Sequence, residues 1–113
     1  MRAINGTTFG SITVDGRTYN HDVWLLVTGE LRKRDRNHEF TIDEFLMLLE
    51  GEPEVVVVGT GQAGCVRVED EVREEAKRRK VELFCLETPE ALKVYNRAVA
   101  AKRKVAGAFH VTC

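Results

Sequence analysis

Long apolar segments are missing from this 113-residue sequence. No stretch approaches the roughly 20 apolar residues that a membrane-spanning helix requires, and the first residues lack the apolar core of a signal peptide. We therefore predict a soluble, cytoplasmic protein that does not associate with membranes. The chain is also too short to hold a cofactor domain and a substrate domain, so we expect a single domain over residues 1–113.

An excess of charge of either sign is missing as well. Lys and Arg number 17 and Asp and Glu number 18, which leaves a formal net charge of −1. A balanced charge gives no global reason to expect binding of nucleic acid. The basic run at residues 77–80 is explained by its place at the end of a predicted helix, where the helix dipole favours positive charge. We expect no nucleic-acid partner.

Cysteine is scarce in this sequence. Cys65, Cys85 and Cys113 are odd in number and have no Cys-x-x-Cys spacing, which argues against both a disulfide framework and a structural zinc site. We predict three unpaired cysteines that pack as small apolar residues in a reducing compartment. Neither a metal nor a cofactor is expected.

Catalytic motifs are also missing. The sequence contains no G-x-S-x-G, no H-E-x-x-H and no P-loop lysine. His21 and Asp22 are neighbours in a predicted strand, so their side chains are expected on opposite faces, and the same alternation separates His110 from Cys113. We predict structural roles for these histidines and name no catalytic residue, and enzymatic activity is the less favoured interpretation.

The most informative segment that is present is a four-valine run, residues 55–58, followed by Gly59-Thr60-Gly61-Gln62-Ala63-Gly64. A strand that leads into G-x-G-x-x-G is typical of dinucleotide-binding proteins, and Glu87 stands roughly where such proteins place a ribose-binding carboxylate. In those sites a helix begins at the second or third glycine, so that its free amides bind the pyrophosphate. Here no helix signal appears before Glu69, and an acidic first turn would repel phosphate. We therefore interpret the glycines as a sharp turn rather than a dinucleotide site.

Strands and helices are predicted to alternate along the chain. The dipeptide Asp15-Gly16 is suited to a tight hairpin turn between two strands. A capping box formed by Thr41 and Glu44 marks one helix start, and Thr88 followed by Pro89 marks another. The predicted strands are residues 11–14, 17–19, 23–27, 55–58, 81–86 and 105–113, and the predicted helices begin at residues 41, 69 and 88. The polar segment 28–40, which contains Arg32, Lys33, Arg34 and Arg36, is predicted to be a loop or a surface excursion.

The carboxyl end of the central valine strand is the predicted ligand crevice. Open α/β sheets usually bind ligands at the carboxyl ends of their strands. We expect a small molecule or an anion to meet six residues near this end of the sheet. These are Gly59, Thr60, Gly61, Gln62, Thr88 and Asn96.

Four segments in a characteristic order run through nearly the whole chain. They are FGSITVDG (9–16) with Tyr19, VGTG (58–61), TPEA (88–91) followed by Tyr95 and Asn96, and VAGAFHVT (105–112). On these segments the sequence resembles the family of small Mth-type α/β domains, which includes the animal adipogenesis-associated domain protein and a mitochondrial assembly factor for respiratory complex I. The resemblance implies a three-layer α/β domain with a mixed central sheet flanked by helices, in which the last strand runs against the others. It implies no established enzymatic activity, and its pattern keeps Gly59 and Gly61 but not Gly64.

These observations predict an α/β fold, opened by an N-terminal β-hairpin, and a function in binding. We expect a non-enzymatic binding or assembly-type module that acts through a protein partner or through self-association into a homo-oligomer. The alternative is a small-molecule or anion-binding protein, or an undetected enzyme, that uses the glycine turn after the central strand.

Overall fold

The computed structural model describes residues 2–113 as three β-sheets and three helices. The strands are β1 (Ile4–Thr8), β2 (Ser11–Val14), β3 (Arg17–Tyr19), β4 (Asp22–Leu25), β5 (Leu31–Arg34), β6 (Glu39–Phe40), β7 (Val55–Gly59), β8 (Arg67–Val68), β9 (Glu82–Leu86) and β10 (Val105–Phe109). The helices are α1 (Ile42–Leu48), α2 (Asp70–Arg78) and α3 (Thr88–Ala100).

A five-stranded sheet in the order β5-β4-β10-β7-β9 forms the middle of the fold. Strands β10, β7 and β9 are mutually parallel, while β4 runs antiparallel to both of its neighbours. The mixed central sheet is therefore confirmed. The expectation that the last strand opposes the others is wrong, because β10 is parallel to β7 and it is β4 that reverses direction.

The valine run separates two apolar cores. Val55 and Val57 face α3 and the three-stranded sheet β1-β2-β3, whereas Val56 and Val58 face α1, α2 and the short β6-β8 ribbon. Alternate side chains of a strand point to opposite faces, so a strand that is apolar throughout indicates burial on both sides. The predicted three-layer arrangement is confirmed. Most residues of the predicted crevice lie at the carboxyl ends of β7 and β10.

The polar segment 28–40 is not a surface loop. It contains β5, which pairs with β4, and β6, which pairs in parallel with β8. The charged residues of this segment favour the prediction of a surface loop. One of them, Arg34, is nevertheless only 2% exposed, because it lies against acidic partners. Strand β1 pairs with β2, and because it is mostly polar its sequence does not predict a strand.

Two of the predicted helix caps differ in detail from those observed. The Thr41 hydroxyl accepts from the Glu44 amide as expected, but the Glu44 carboxylate accepts from Trp24 and Arg34 instead of reaching back to Thr41. Helix α3 is capped at Glu87, and Thr88 is its first residue. The Thr88 hydroxyl is used elsewhere, on the glycine loop.

The prediction of three unpaired cysteines is wrong. Cys65 and Cys113 form a disulfide with Cα atoms 5.5 Å apart, while Cys85 is a half-buried thiol. The two partners are 48 residues apart in sequence, and only the fold brings them together, so their spacing carried no signal. Across residues 2–113, no helix has the length and apolar character that crossing a membrane would require.

Candidate functional site

The predicted ligand crevice is filled by the protein's own chain. Segment 110–113 lies along the glycine loop, where the Gln62 amide donates to the Thr112 carbonyl at 2.7 Å and the Ala63 amide donates to the Cys113 carbonyl at 3.1 Å. The other amides between residues 60 and 66 also donate to acceptors within the chain. An anion site needs free N–H groups, so this loop in its observed conformation has none to offer.

Close approach of the chain explains the glycine at position 61. The Gly61 amide donates to the Thr88 hydroxyl at 2.9 Å, and that hydroxyl donates to the His110 carbonyl at 2.6 Å. Gly61 has φ +110°, and a Cβ placed on it would lie 2.0 Å from the Cys113 carbonyl oxygen. Only glycine fits such a conformation and such a contact. Thr88 therefore joins the loop to β10 rather than facing a ligand.

Asn96 uses its side chain on β1 and not on the glycine loop. Its side-chain oxygen accepts from the Ile4 amide at 2.9 Å, and its side-chain nitrogen donates to the Ile4 carbonyl at 2.8 Å. Gly59, Thr60, Gly61, Gln62 and Thr88 come together at one edge of the sheet, while Asn96 fastens β1 to the middle of α3. Ligand binding by the first five residues stays a prediction.

A buried ionic cluster lies at the same end of the strands, beside the carboxyl end of β10. The sequence does not predict it. Arg34 donates to the Asp22 carboxylate at 2.7 Å and also to Glu44. His110 places its Nδ1 2.7 Å from the same Asp22 oxygen, and the other Asp22 oxygen accepts from the Val111 amide at 2.9 Å. Asp22, Arg34 and His110 are each at most 2% exposed.

The cluster is satisfied internally and is therefore suited to structure rather than to catalysis. Arg34 also donates to the carbonyls of Asn37 and Glu39, and His110 places its Nε2 3.1 Å from the Thr112 hydroxyl. No buried side-chain nitrogen or oxygen within residues 2–113 lacks a partner. In that same span, no set of three or more His, Cys, Asp and Glu side chains is arranged to hold a metal ion.

Strand β9 presents an unpaired edge. It is the last strand of the five-stranded sheet and contacts β7, α2 and α3. The Glu82 amide donates to the Glu54 carbonyl at 3.0 Å, and the Leu86 carbonyl accepts from the Thr60 amide at 2.8 Å, so both groups point toward β7. Because backbone groups alternate in direction along a strand, the N–H and C=O groups of Leu83 and Cys85 point away from the sheet.

Different chemistry flanks the two faces of this edge. On the α3 side, a shallow groove of about 280 Å³ is lined by apolar groups and by two arginines. On the α2 side, burial raises the pKa of the Cys85 thiol, and the neighbouring Arg73 guanidinium opposes this shift in part. The groove residues are Val55, Phe84, Val94, Arg97, Ala98, Ala101 and Arg103.

Comparison with known proteins identifies the chain. The model of a family described as protein of unknown function (DUF498/DUF598) matches residues 4–110. The chain belongs to the DUF498/DUF598 family. It is similar to the solved protein MT938, with 30% identity, full coverage of both chains and a TM-score of 0.82.

Two further solved structures share the fold of this DUF498/DUF598 protein. The conserved hypothetical protein PH1505 from Pyrococcus horikoshii OT3 is 25% identical, with 97% and 98% of the two chains covered and a TM-score of 0.84. A Bordetella pertussis protein described as a Mth938-like domain is 18% identical, with 97% and 85% covered and a TM-score of 0.69. The resemblance to the Mth-type domains is therefore confirmed.

Little in the sequence of this DUF498/DUF598 protein indicates the ionic cluster or the open edge. Asp22, Arg34, Glu44 and His110 come from four separate elements or their ends, so no local spacing unites them. The β9 edge could have been suspected from its composition, since Leu83-Phe84-Cys85-Leu86 lacks the charges that protect exposed edge strands.

Proposed function

We propose that this member of the family is a non-enzymatic, assembly-type binding module that recruits a protein partner through the unpaired edge of β9. The observation that carries the proposal is the outward direction of the Leu83 and Cys85 backbone groups on an edge strand. Such an edge accepts an extended segment of another chain, because main-chain hydrogen bonds supply affinity and side-chain pockets supply specificity.

The opposite edge of the sheet supports this proposal by contrast. Strand β5 has the sequence Leu-Arg-Lys-Arg, and Lys33 on it is exposed. Charged residues, lysine above all, are a common device that prevents edge strands from pairing with other chains. Strand β9 has a single charged residue, Glu82 at its start, and Leu86 at its end is 36% exposed. One edge is protected against pairing and the other is not.

The glycine loop gives less support to the alternative of small-molecule or anion binding. Its amides donate to carbonyls and a hydroxyl of the same chain, and segment 110–113 would have to leave before a ligand could reach them. The cytoplasmic location and the absence of a nucleic-acid partner stay predictions from the sequence.

A capture experiment with edge variants tests the proposal. The Cys85→Pro variant removes an outward N–H without removing a hydrogen bond to β7, and Leu86→Lys adds an edge-protecting charge. Wild-type and variant proteins, each shown by circular dichroism to be folded, are used to capture proteins from a lysate of the source organism. We expect a specific partner that the wild type retains and both β9 variants lose.

Phe9→Lys is the matched control, because Phe9 is also an exposed apolar residue, at 72%, but lies in the turn between β1 and β2. This variant should retain the partner. A wild-type chain that repeatedly elutes alone and sediments as a monomer would contradict the proposal. So would a partner that is bound equally well by the β9 variants.

A further inference from the structure

Basic residues that make no ion pair surround the open edge of β9. Within the described part of the chain, Arg73, Lys77, Lys80 and Arg97 form no salt bridge, in contrast to Arg78 and Arg79 on α2, which both pair with Glu75. Arg73 and Lys77 are one turn apart on the same face of α2, and Lys80 lies in the turn that leads into β9. We call Arg73, Lys77 and Lys80 the basic stripe.

The basic stripe lies on the β9 side of α2. Arg73 is next to Cys85 of β9, whereas Glu71, Glu75 and Arg78 line a cleft with Ile42 of α1. Helix α2 therefore has one flank toward α1, where Glu75 pairs with Arg78 and Glu71 makes no ion pair with any described residue, and one flank toward the open edge. That second flank has three basic residues, and its acidic neighbours are Asp70 at the helix start and Glu74, which lies three residues before Lys77.

The α3 side of the edge has a different character. Here Glu82 pairs with Arg103 at 3.0 Å and Glu90 pairs with Lys93 at 3.3 Å, while Glu87, which caps α3 just after β9, makes no ion pair within residues 2–113. The groove of about 280 Å³ on this side has a mostly apolar lining, which includes Phe84, Val94 and Ala101, although Arg97 also lines it. A side chain entering this groove would be apolar.

Resting on the proposed function, we infer that the β9 partner is an extended segment in which acidic and apolar residues alternate. Successive side chains of an added strand point to opposite faces. Alternate positions would therefore face the basic stripe of α2, where carboxylates are favoured, and the groove of α3, where apolar groups are favoured. The N–H and C=O groups of Leu83 and Cys85 would hold the backbone of this segment.

A second copy of this chain does not satisfy the same chemistry. Two copies that paired symmetrically through β9 would bring each basic stripe toward its own image, since an isologous interface contains the same patch twice. Like charges facing each other across strands are destabilising. The partner is therefore a different chain, with acidic residues that the basic stripe attracts.

Selection from a random twelve-residue peptide library displayed on phage tests this inference. The intact protein is the bait, and the Cys85→Pro variant is used for counter-selection. We expect enriched peptides with Asp or Glu at alternate positions between apolar residues. The most enriched peptide is then synthesised and titrated into the isotope-labelled protein. In NMR spectra, the backbone resonances of Leu83 and Cys85 should be the first to shift.

Two charge-reversal variants, one in the basic stripe and one away from β9, test whether the basic stripe binds the peptide. The Arg73→Glu, Lys77→Glu double variant should bind the selected peptide about tenfold more weakly, since each lost surface ion pair is worth up to about 1 kcal/mol. The Arg36→Glu, Arg67→Glu double variant makes the same change in net charge away from β9 and should bind normally. Added salt should weaken binding to the wild type.

The contrary results separate the two proposals. Peptides that bind at β9 without an acidic excess, or that tolerate the Arg73→Glu, Lys77→Glu variant, would overturn the acidic partner and leave the binding edge intact. Enrichment that is equal on Cys85→Pro, resonance shifts elsewhere, or no enrichment at all would overturn both. A concentration-dependent dimer that is lost on Leu86→Lys would replace the acidic partner with self-association.

Discussion

A guanidinium group withdrawn from water, as that of Arg34 is, requires acceptors for its N–H groups, because an unpaired buried charge is costly. Arg34 donates to two carboxylates and two backbone carbonyls, which come from β4, α1, β6 and the loop between β5 and β6. The same contacts neutralise Asp22 and Glu44. Arg34 therefore helps to hold α1 against the sheet, together with the buried side chains of Phe45 and Leu48.

Removal of that side chain should be costly. We expect Arg34→Ala to lower the free energy of unfolding by about 3–5 kcal/mol, because it leaves the buried Asp22 carboxylate and the half-buried Glu44 carboxylate without the guanidinium that neutralises them. Urea denaturation measures this change. Arg32→Ala is the control, since Arg32 is a neighbouring residue whose partners Glu30 and Glu50 are exposed, and it should cost less than about 1 kcal/mol. Equal losses for both variants would refute the structural role of the cluster.

Tyr95 makes the free energy of unfolding depend on pH in the alkaline range. Burial raises the pKa of its phenol to about 12, whereas a tyrosine in the unfolded chain has a pKa of about 10. The neutral phenol is therefore favoured by folding, and the stabilisation is complete below pH 10 and lost as the pH rises through 12. It amounts to about 3 kcal/mol at most.

We expect Tyr95→Phe to retain its stability between pH 10 and 12 better than the wild type does. The measurement is the difference between the two in free energy of unfolding at each pH, which cancels the effect of lysine deprotonation. Tyr19→Phe, at a tyrosine that is only half-buried on β3, should follow the wild type. A constant difference between Tyr95→Phe and the wild type across this range would show that the phenol ionises as easily in the folded state as in the unfolded one.

At the scale of elements, helices and buried strands could be predicted because their signals are local. The sequence predicts β7 from its valines. It predicts the start of α1 from its capping residues and the start of α2 from its charges, in each case within two residues of the observed start. Strand β5 could not be predicted, because a buried Arg34 and an exposed lysine look the same until the acidic partners are known. The same holds for the candidate site. The glycine turn could be predicted from neighbouring residues, but its contact with segment 110–113 could not, because that segment is distant in sequence.

The bond between Cys65 and Cys113 ties the glycine loop to the segment that fills it. A cross-link over a loop of this length lowers the entropy of the unfolded chain and is typically worth about 2–4 kcal/mol. We expect a reductant to lower the free energy of unfolding by this amount in the wild type. The Cys65→Ser, Cys113→Ser variant should be less stable from the start and should not respond to reductant.

Cys85→Ser is the matched control for the disulfide, because it removes a thiol but leaves the bond in place. Its response to reductant should equal that of the wild type. Thiol counting should find one reactive group in the unfolded, unreduced wild type. Three thiols before reduction would contradict the pairing.

At the scale of the whole molecule, the central sheet should be more stable at β10 than at β9. β10 is buried along its length and has a strand on each side, whereas β9 is half-exposed and has one neighbour. Amide hydrogen exchange reports such local differences in stability. We expect slow exchange for β10 and fast exchange for the outward amides of Leu83 and Cys85.

The exchange experiment also tests whether the β9 edge is open in solution. Slow exchange at Leu83 and Cys85 that becomes faster on dilution would indicate that a second copy covers the edge. The inward amides of Glu82 and Phe84 serve as internal controls on the same strand, because they should be protected in either case.

The place of β10 in the sheet has a consequence for synthesis of the chain on the ribosome. This strand follows every other strand of its sheet in sequence, yet it lies between β4 and β7. A nascent chain that has emerged only to residue 104 therefore holds two separate strand pairs, β4 with β5 and β7 with β9, and the valines of β7 have an unpaired side. Exposed strand edges of this kind favour aggregation during folding, so the interval before β10 emerges is when the growing chain most needs a chaperone.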